Sequence, residues 1–443
     1  MDISLRKQAS SLVARLAAHL HNPLYRNGYA LASSSVITAG IGMLYWILAA
    51  RTYPPGLVGL NSAMISVMML LGGIAQLNLA DGAVRFVPIA GRATGRFIGA
   101  AYLISLALAA GISLVFLTQL GRWAPALGFL GASPLVLGWF TLSTMGWAVF
   151  VLQDGVLTGL RKALWVPVEN GVFSVTKIVL MLMFAAFLPQ LGVFASWAIG
   201  LMVTVLPTSY FIFHHLVPRH AEEKRDSGER LAFRPVARYV AGDYAGALAW
   251  LASTSLLPIL VTQLAGPAAN AYYYLAWQVS LLLIAIASSM SSSLVVEAST
   301  DPQMLEVFSY RTLLQTALII IPAALALVIG APFVLLLFGR SYSQEATALL
   351  RLLVISTIPY IVNVVFVSMA QVRRQISKIM LAFGSLCLLV LSLSYLLIPR
   401  MGILGAGYAW LISQSLVALA IIISWVRGES APRSPRHRVP PPG

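Results

Sequence analysis

The composition of this 443-residue chain is that of a membrane protein and not of a soluble one. Hydrophobic residues make up 59% of the chain and charged residues only 10%, and the mean hydropathy is +0.85. A soluble domain carries about 25% charged residues, so this chain has too few ionic groups to cover a globular surface. The single cysteine, Cys387, lies in an apolar run, which excludes a disulfide framework and a cysteine-based metal site.

Long apolar runs separated by short polar joints predict an all-α integral membrane protein with about twelve transmembrane helices. A spanning helix needs about 20 mostly apolar residues. Residues 1–27 are too charged for a signal-peptide core, so we expect the first span to act as an uncleaved anchor. In chain order the predicted spans are 28–50, 58–80, 97–119, 135–153, 165–187, 192–215, 243–264, 270–292, 313–337, 348–370, 379–398 and 403–426.

The basic residues predict the orientation of these spans. Twelve spans place both termini on one side of the membrane, and most of the 29 Lys and Arg residues fall in the segments on that side. Because cytoplasmic loops carry the excess of Lys and Arg, we expect both termini to lie in the cytoplasm. The net charge of +15 is spread over all inner loops, whereas a nucleic-acid partner would need one basic patch. The sequence therefore predicts no nucleic-acid binding.

Two pairs of similar sequence segments predict two halves of six spans each. The run PGLVGLNSAMISVMMLL begins at Pro55 and PAANAYYYLAWQVSLLL at Pro267, while PQLGVFASWA begins at Pro189 and PRMGILGAGYA at Pro399. The two pairs have nearly the same separation along the chain. Six spans preserve orientation, so we expect a parallel repeat about an axis along the membrane normal. The predicted units are an N-terminal lobe (1–217), a cytoplasmic linker (218–235), a C-terminal lobe (236–426) and a disordered basic tail (427–443).

The chain has no pattern typical of an enzyme or of an ATP-driven pump. None of its lysines lies in a G-K-[ST] phosphate loop. Its histidines lie in the tails or beside the central loop, without acids at metal-ligand spacing, so we expect no metal site and no cofactor. The outer joints are short and carry no set of acids for chemistry on sugars. By elimination, the sequence favours a transporter that is not an enzyme.

The fifth predicted span carries the polar residues that are most costly to place in a membrane. Lys177 lies roughly 15 Å beyond Pro167, near the middle of a hydrocarbon core about 30 Å thick. Asn170, Ser174 and Lys177 share one stripe of the helix. A lysine at that depth costs at least about 2.5–3.5 kcal/mol, so it needs a partner. Either these three residues form a binding site for an anionic substrate, or Lys177 pairs with an acid on a neighbouring helix.

Two acids are candidates for ion coupling or gating. Glu169 lies in the first turn of the fifth span, where the helix dipole favours an acid, and about 80° around the helix from Lys177. Its alternative role is structural. Asp243 lies near the start of the seventh span, where it either balances Lys177, binds a coupling cation or caps the helix at the interface.

Three segments carry a family resemblance: NPLYRNGYAL (22–31), YWILAARTYPPGLVGLNSAMIS (45–66) and LTGLRKALWVPVENGVFSVTK (157–177). With them, essentially the whole chain resembles the bacterial polysaccharide flippases of the multidrug/oligosaccharidyl-lipid/polysaccharide transporter superfamily. The resemblance implies a MATE-like fold of two six-helix bundles around a central cavity. It also implies that undecaprenyl-diphosphate-linked oligosaccharide moves across the bacterial cytoplasmic (inner) membrane by alternating access, for surface polysaccharide biosynthesis. Of the cationic cavity residues described for this family, only Lys177 matches by position.

Two alternatives stay open beside the flippase. A cation-coupled multidrug antiporter of the same superfamily would need carboxylates in its lobes, for which Glu169 and Asp243 are the candidates. A membrane enzyme acting on lipid-linked sugars would need a constellation of acids or histidines, which the sequence does not show. The expected partners are the lipid-linked substrate, membrane lipid and polysaccharide assembly proteins, and we expect a monomer.

Overall fold

The structure is a computed structural model that describes residues 39–131, 133–223 and 233–428, without the side chains of 233–243 and Pro302. Eleven helices in these ranges are long and apolar enough to cross a membrane. They coincide with predicted spans two to twelve, which confirms the all-α membrane fold. Predicted span 28–50 is described only from residue 39, where a helix runs to residue 52, and its earlier part lies outside the described residues.

We number the spanning helices α1 to α12 in chain order. The first six are α1 (39–52), α2 (Pro55–Gln76), α3 (Thr94–Thr118), α4 (Pro134–Gly159), α5 (Trp165–Phe187) and α6 (Gly192–Glu223). The other six are α7 (Phe233–Ala265), α8 (Pro267–Thr300), α9 (Leu305–Leu336), α10 (Arg340–Val372), α11 (Ile376–Met401) and α12 (Ile403–Val426). Two short helices, Leu79–Phe86 and Leu120–Trp123, follow α2 and α3.

Local sequence sets where several of these helices begin. Pro55 and Pro267 lie in the first turns of α2 and α8, where the missing proline N–H is not needed. Ser133 caps α4, because its hydroxyl accepts a hydrogen bond from the Leu135 amide at 3.3 Å. Gly266 has a φ of 95°, a conformation that favours glycine, and it turns the chain from α7 into α8.

Some helices extend further at the predicted cytoplasmic end than the hydropathy pattern indicates. Helix α6 continues to Glu223 and α7 begins at Phe233, so the predicted linker 218–235 contains helix at both ends. Helix α8 likewise runs to Thr300. Polar residues lower the hydropathy of these turns without breaking their internal hydrogen bonds, so the helices continue past the apolar segment. Residues 224–232 and the predicted tail from residue 429 onward lie outside the described residues.

The helices pack as two six-helix bundles. In the first bundle, α5 packs against α6, and α4 packs against α2, α3 and α6. In the second, α11 packs against α7 and α12, and α8 packs against α9 and α10. Between the bundles, α2 packs along α7 and α8. Because α2 and α8 are the second helices of the two halves, the interface brings repeat-related helices together.

The two bundles approach each other closely where α2 crosses α8. A Cβ atom on Gly59 would lie 1.7 Å from the Pro267 carbonyl oxygen, so only glycine fits at this crossing. Asn270 of α8 donates from Nδ2 to the Gly59 carbonyl at 2.7 Å and to Ser62 Oγ at 3.1 Å. We call this end of the bundles the outer end, since the charge pattern predicts that it faces outside. The opposite end, which holds Asp81, is the inner end.

Candidate functional site

A cavity of about 740 Å³ lies between the two bundles. Its outermost lining residues on α2 and α8 are Ser66 and Tyr274, which lie inward of the Gly59 crossing. Towards the inner end it reaches two exposed residues, Ala39 and Asp81. On this side Tyr244 of α7 joins the bundles by donating to the Ile74 carbonyl of α2 at 2.8 Å. Among the described residues, the cavity is therefore closed at its outer end and reaches the protein surface at Asp81, at the inner end.

Aromatic side chains from both bundles form much of the cavity wall. Trp46 of α1 meets Tyr274 of α8 edge to face, with the ring centroids 4.8 Å apart. The ring centroids of Trp147 of α4 and Trp197 of α6 are 6.0 Å apart. Trp250 of α7 lies on the other side of the cavity. Such rings present flat apolar faces together with polar edges. The wall is suited to a bulky ligand that has apolar faces, or to an organic cation.

Lys177 is part of this wall and lies within an aromatic cage. Its Nζ atom is 4.2 Å from the centroid of the Trp197 ring, 4.6 Å from Phe173 and 5.0 Å from Tyr45. The side chain is only 5% exposed, and attraction between the ammonium and the ring faces offsets part of its cost of desolvation. Rings provide no hydrogen-bond acceptor of ordinary strength, and no described residue accepts a hydrogen bond from Nζ.

The structure bears on the alternative in which Lys177 pairs with an acid. Among the described side chains the one salt bridge joins Arg373 to Glu306, at 3.5 Å and far along the chain from Lys177. No described acid therefore forms an ion pair with Lys177. Asp243 is part of helix α7, but the structure describes only its backbone and not its side chain. Its pairing with Lys177 remains a prediction.

Asn170 and Ser174 share the helix face of Lys177 but are not among the described residues that line the cavity. Asn170 Nδ2 donates to the Val166 carbonyl at 3.0 Å and to Asp154 Oδ1 at 3.4 Å, so it faces α4. Ser174 is buried. The polar stripe on α5 thus runs from the cavity, at Lys177, into the interior of the first bundle.

Glu169 lies in that interior, beside a second acid that the sequence analysis did not identify. Glu169 is 4% exposed, and neither carboxylate oxygen has a hydrogen-bond partner among the described residues. Asp154 of α4 interacts with it as a like charge, and Thr208 of α6 and Tyr102 of α3 are also neighbours. The signal for Asp154 was present: it is a single acid in the apolar run VFVLQDGVL, directly after predicted span 135–153.

Comparisons with known proteins identify the fold. No protein-family model and no curated protein matches the chain. Among solved structures, the chain is similar to an inward-facing multidrug resistance MATE family transporter of the MOP superfamily, with a TM-score of 0.70 and 15% identity over 89% of this chain and 94% of that one. For an outward-facing structure of such a transporter the TM-score is 0.64, with 16% identity over 91% and 95% of the two chains.

The lipid II flippase MurJ in an inward closed conformation is also similar, with a TM-score of 0.67 and 13% identity over 89% of this chain and 87% of MurJ. Each likeness extends over most of both chains. The chain therefore has the MATE transporter fold.

Proposed function

We propose that this protein is a transporter that moves an undecaprenyl-diphosphate-linked oligosaccharide across the bacterial cytoplasmic membrane by alternating access, for surface polysaccharide biosynthesis. The observation that carries the proposal is Lys177, a buried cation in the wall of the cavity between the bundles, with no described acid paired to it. A cation in a membrane interior is costly. A ligand that supplies the missing anion would repay that cost.

A lipid diphosphate supplies such an anion. Its oxygens accept charge-assisted hydrogen bonds, which are about twice as strong as neutral ones, and Lys177 has N–H donors to offer. Asn170 and Ser174 complete the proposed binding stripe, and they reach the substrate if α5 turns or shifts during transport. One solved protein of this fold is named a lipid II flippase, which supports a lipid-linked substrate.

The glycan and the lipid tail would take different paths. The oligosaccharide passes through the cavity, where the faces of Trp147 and Trp250 pack against the apolar faces of sugar rings. The prenyl tail stays in the bilayer between the bundles, since it has no polar group to satisfy. Rocking of the two bundles about the midplane would expose the cavity to each side in turn.

We assign ion coupling to Glu169 and its neighbour Asp154. When both are ionised, Glu169 and Asp154 repel each other in a medium of low dielectric constant, and no described residue gives Glu169 a hydrogen bond that would offset this repulsion. A bound proton or cation removes this repulsion. Because Asp154 belongs to α4 and Glu169 to α5, binding or release of this proton or cation changes how the two helices pack. Asp243 remains a second candidate for coupling or gating on α7.

A multidrug antiporter is the second candidate function. Asp81 lines the inner part of the cavity, and aromatic walls attract organic cations. Two of the similar solved structures are multidrug resistance MATE transporters. Lys177 argues against this function, because a cation in the cavity wall repels a cationic drug. The flippase is therefore the stronger proposal.

The setting follows from the proposal. The protein would be a monomer in the inner membrane with both termini in the cytoplasm. It would receive its substrate from polysaccharide assembly proteins and would have membrane lipid as its surroundings.

The experiment is a reconstituted transport assay with two substrates. Proteoliposomes receive either a fluorescent undecaprenyl-diphosphate oligosaccharide or ethidium under a proton gradient. We expect the lipid-linked sugar to change leaflets and ethidium not to accumulate, with protein-free liposomes as the control. Ethidium transport without movement of the lipid-linked sugar would contradict the flippase proposal and support the antiporter.

A further inference from the structure

The outer end holds two hydrogen-bonded contacts between the bundles that correspond to each other in the repeat. At the end of α1, Arg51 donates from Nε to the Leu337 carbonyl at 2.9 Å and from Nη2 to the Leu336 carbonyl at 2.7 Å. At the end of α7, Gln263 donates from Nε2 to the Trp123 carbonyl. In each case a side chain of one bundle reaches the main chain of the other.

The positions of the two donors are equivalent in the two halves. Arg51 lies four residues before Pro55, and Gln263 lies four residues before Pro267, the prolines that begin α2 and α8. The acceptors correspond as well. Leu336 is the last residue of α9, the third helix of its half, and Leu337 is its C-cap. Trp123 ends the short helix that follows α3, the third helix of the other half. One contact is thus the repeat-related copy of the other.

We propose that Arg51 and Gln263 are gating residues, and that their contacts are two outer latches that hold the cavity closed to the outside. The latches lie at the same outer end of the bundles as the Gly59 crossing, where the cavity is closed. Opening the outer side requires the bundles to separate there. That movement takes each donor away from its acceptor.

The chemistry of the latches allows them to release. Carbonyls in the last turn of a helix have no partner within the helix, so the donors cap groups that would otherwise bind water. Both contacts are in exposed surroundings. Water can therefore replace the hydrogen bonds when the bundles separate, and the net cost of opening is small. The buried Asn270 contacts at the crossing lack this access to water.

The inference does not depend on the identity of the substrate. It predicts how fast a reagent from outside reaches the cavity. Thr254 lines the cavity on α7, so a Thr254→Cys reporter in a Cys387→Ser background gives a protein with one thiol, inside the cavity. A membrane-impermeant maleimide is added to right-side-out membrane vesicles, and the labelling rate is normalised to folded protein from size-exclusion chromatography.

We expect Arg51→Ala and Gln263→Ala each to speed external labelling, Arg51→Ala by about tenfold, which corresponds to about 1.4 kcal/mol. Because the two latches are separate, the double variant should approach the product of the single effects. Arg51→Gln keeps an amide N–H donor group on a shorter side chain and should give an intermediate rate, which preserves the test if Arg51→Ala folds poorly.

Arg351→Ala is the matched control. Arg351 also donates from Nε to a carbonyl of α9, that of Val328 at 3.0 Å, but both groups belong to the second bundle. Its removal should leave external labelling unchanged. The proposal is overturned if Arg51→Ala and Gln263→Ala label at the parent rate, or if Arg351→Ala accelerates labelling as much as they do.

Discussion

At the scale of single residues, the proposed substrate selectivity depends on Lys177. Its ammonium is held by three rings at 4.2 to 5.0 Å and has no ion pair among the described residues. Rings stabilise a cation without neutralising it, so the wall keeps a positive potential. Under the proposed function, an anionic group in the cavity would interact with this positive charge and accept hydrogen bonds from Nζ.

The first prediction is that Lys177→Ala weakens binding of the lipid diphosphate about ten- to a hundredfold, because a hydrogen bond to a charged group contributes about 1.5–3 kcal/mol and each 1.4 kcal/mol is tenfold. Lys177→Arg should keep part of the affinity, since the charge remains while reach and geometry change. Binding is measured by the thermal shift of the purified protein with increasing substrate. Lys162→Ala, which removes an exposed lysine before the same helix, should bind as the parent does.

A double variant separates this role from a structural pair with Asp243. If Asp243 were the partner, Lys177→Ala would strand a buried carboxylate and lower the folded yield, and adding Asp243→Asn would restore it. If the double variant restores the folded yield and Lys177→Ala binds substrate normally per folded molecule, Lys177 is not a substrate-binding residue.

The sequence identified Lys177 as a candidate site residue, because a lysine in the middle of an apolar span is costly and needs a partner. It did not show the cage, since Tyr45, Phe173 and Trp197 lie on three helices and aromatic residues are common in spans. Asp154 was missed for a similar reason. It adjoins the edge of a predicted span, where acids are usually solvated, and only the packing of α4 against α5 shows Glu169 as its neighbour.

At the scale of elements, the pair of helices α4 and α5 forms the proposed coupling unit. We predict that Glu169→Gln folds as well as the parent, because glutamine has the same shape and no charge to desolvate. Transport should then no longer respond to a proton gradient, measured in proteoliposomes with the gradient present and collapsed. Glu297→Gln, at an exposed glutamate of α8, is the control. A full gradient response in Glu169→Gln and in Asp154→Asn would contradict the assignment.

The crossing of α2 and α8 gives a prediction about stability. Gly59→Ala puts a Cβ atom 1.7 Å from the Pro267 carbonyl oxygen, so the backbones must separate. We expect a loss of about 1–3 kcal/mol, as for an overpacked core. Gly56→Ala, one turn earlier where a Cβ meets nothing within 4 Å, should be neutral or slightly stabilising. Thermal unfolding in detergent compares the two, and equal midpoints would show that the crossing is not tightly packed.

Element boundaries show what hydropathy can and cannot supply. The spans from α2 to α12 were predicted in number and order, because about 20 apolar residues are needed to cross the bilayer. Several of their ends were not, since helices such as α8 continue past the apolar segment on hydrogen bonds that hydropathy does not record. Helix α10 is divided at Ser356 into Arg340–Ile355 and Thr357–Val372. The sequence did not show this division, because the predicted span 348–370 runs across Ser356 as one mostly apolar segment.

At the scale of the whole molecule, the orientation of the bundles in the membrane determines which side the open end of the cavity faces. The charge pattern predicts that reporter fusions after residues 230 and 443 behave as cytoplasmic and that a fusion after residue 190 behaves as external. An alkaline phosphatase and fluorescent protein pair measures this in cells. An external signal at 230 would invert the assignment of inner and outer ends.

The repeat was visible in the sequence only as two pairs of short echoes. In the structure it reappears as contacts: α2 lies on α8, and Arg51 and Gln263 occupy equivalent positions at the outer end. Which helices meet across the interface could not be read from the sequence, because apolar spans can pack in many arrangements. The interface depends on particular close approaches such as that of Gly59 to Pro267.

The most direct test of the account is the charge selectivity of transport. Proteoliposomes are loaded with one glycan on either an undecaprenyl diphosphate or a neutral polyprenyl lipid, and movement between leaflets is followed for the parent and for Lys177→Ala. We predict that the parent moves the diphosphate form faster and that Lys177→Ala loses this preference. Equal rates for both lipids in the parent, or an unchanged preference in folded Lys177→Ala protein, would contradict the claim that Lys177 binds the diphosphate of a lipid-linked oligosaccharide.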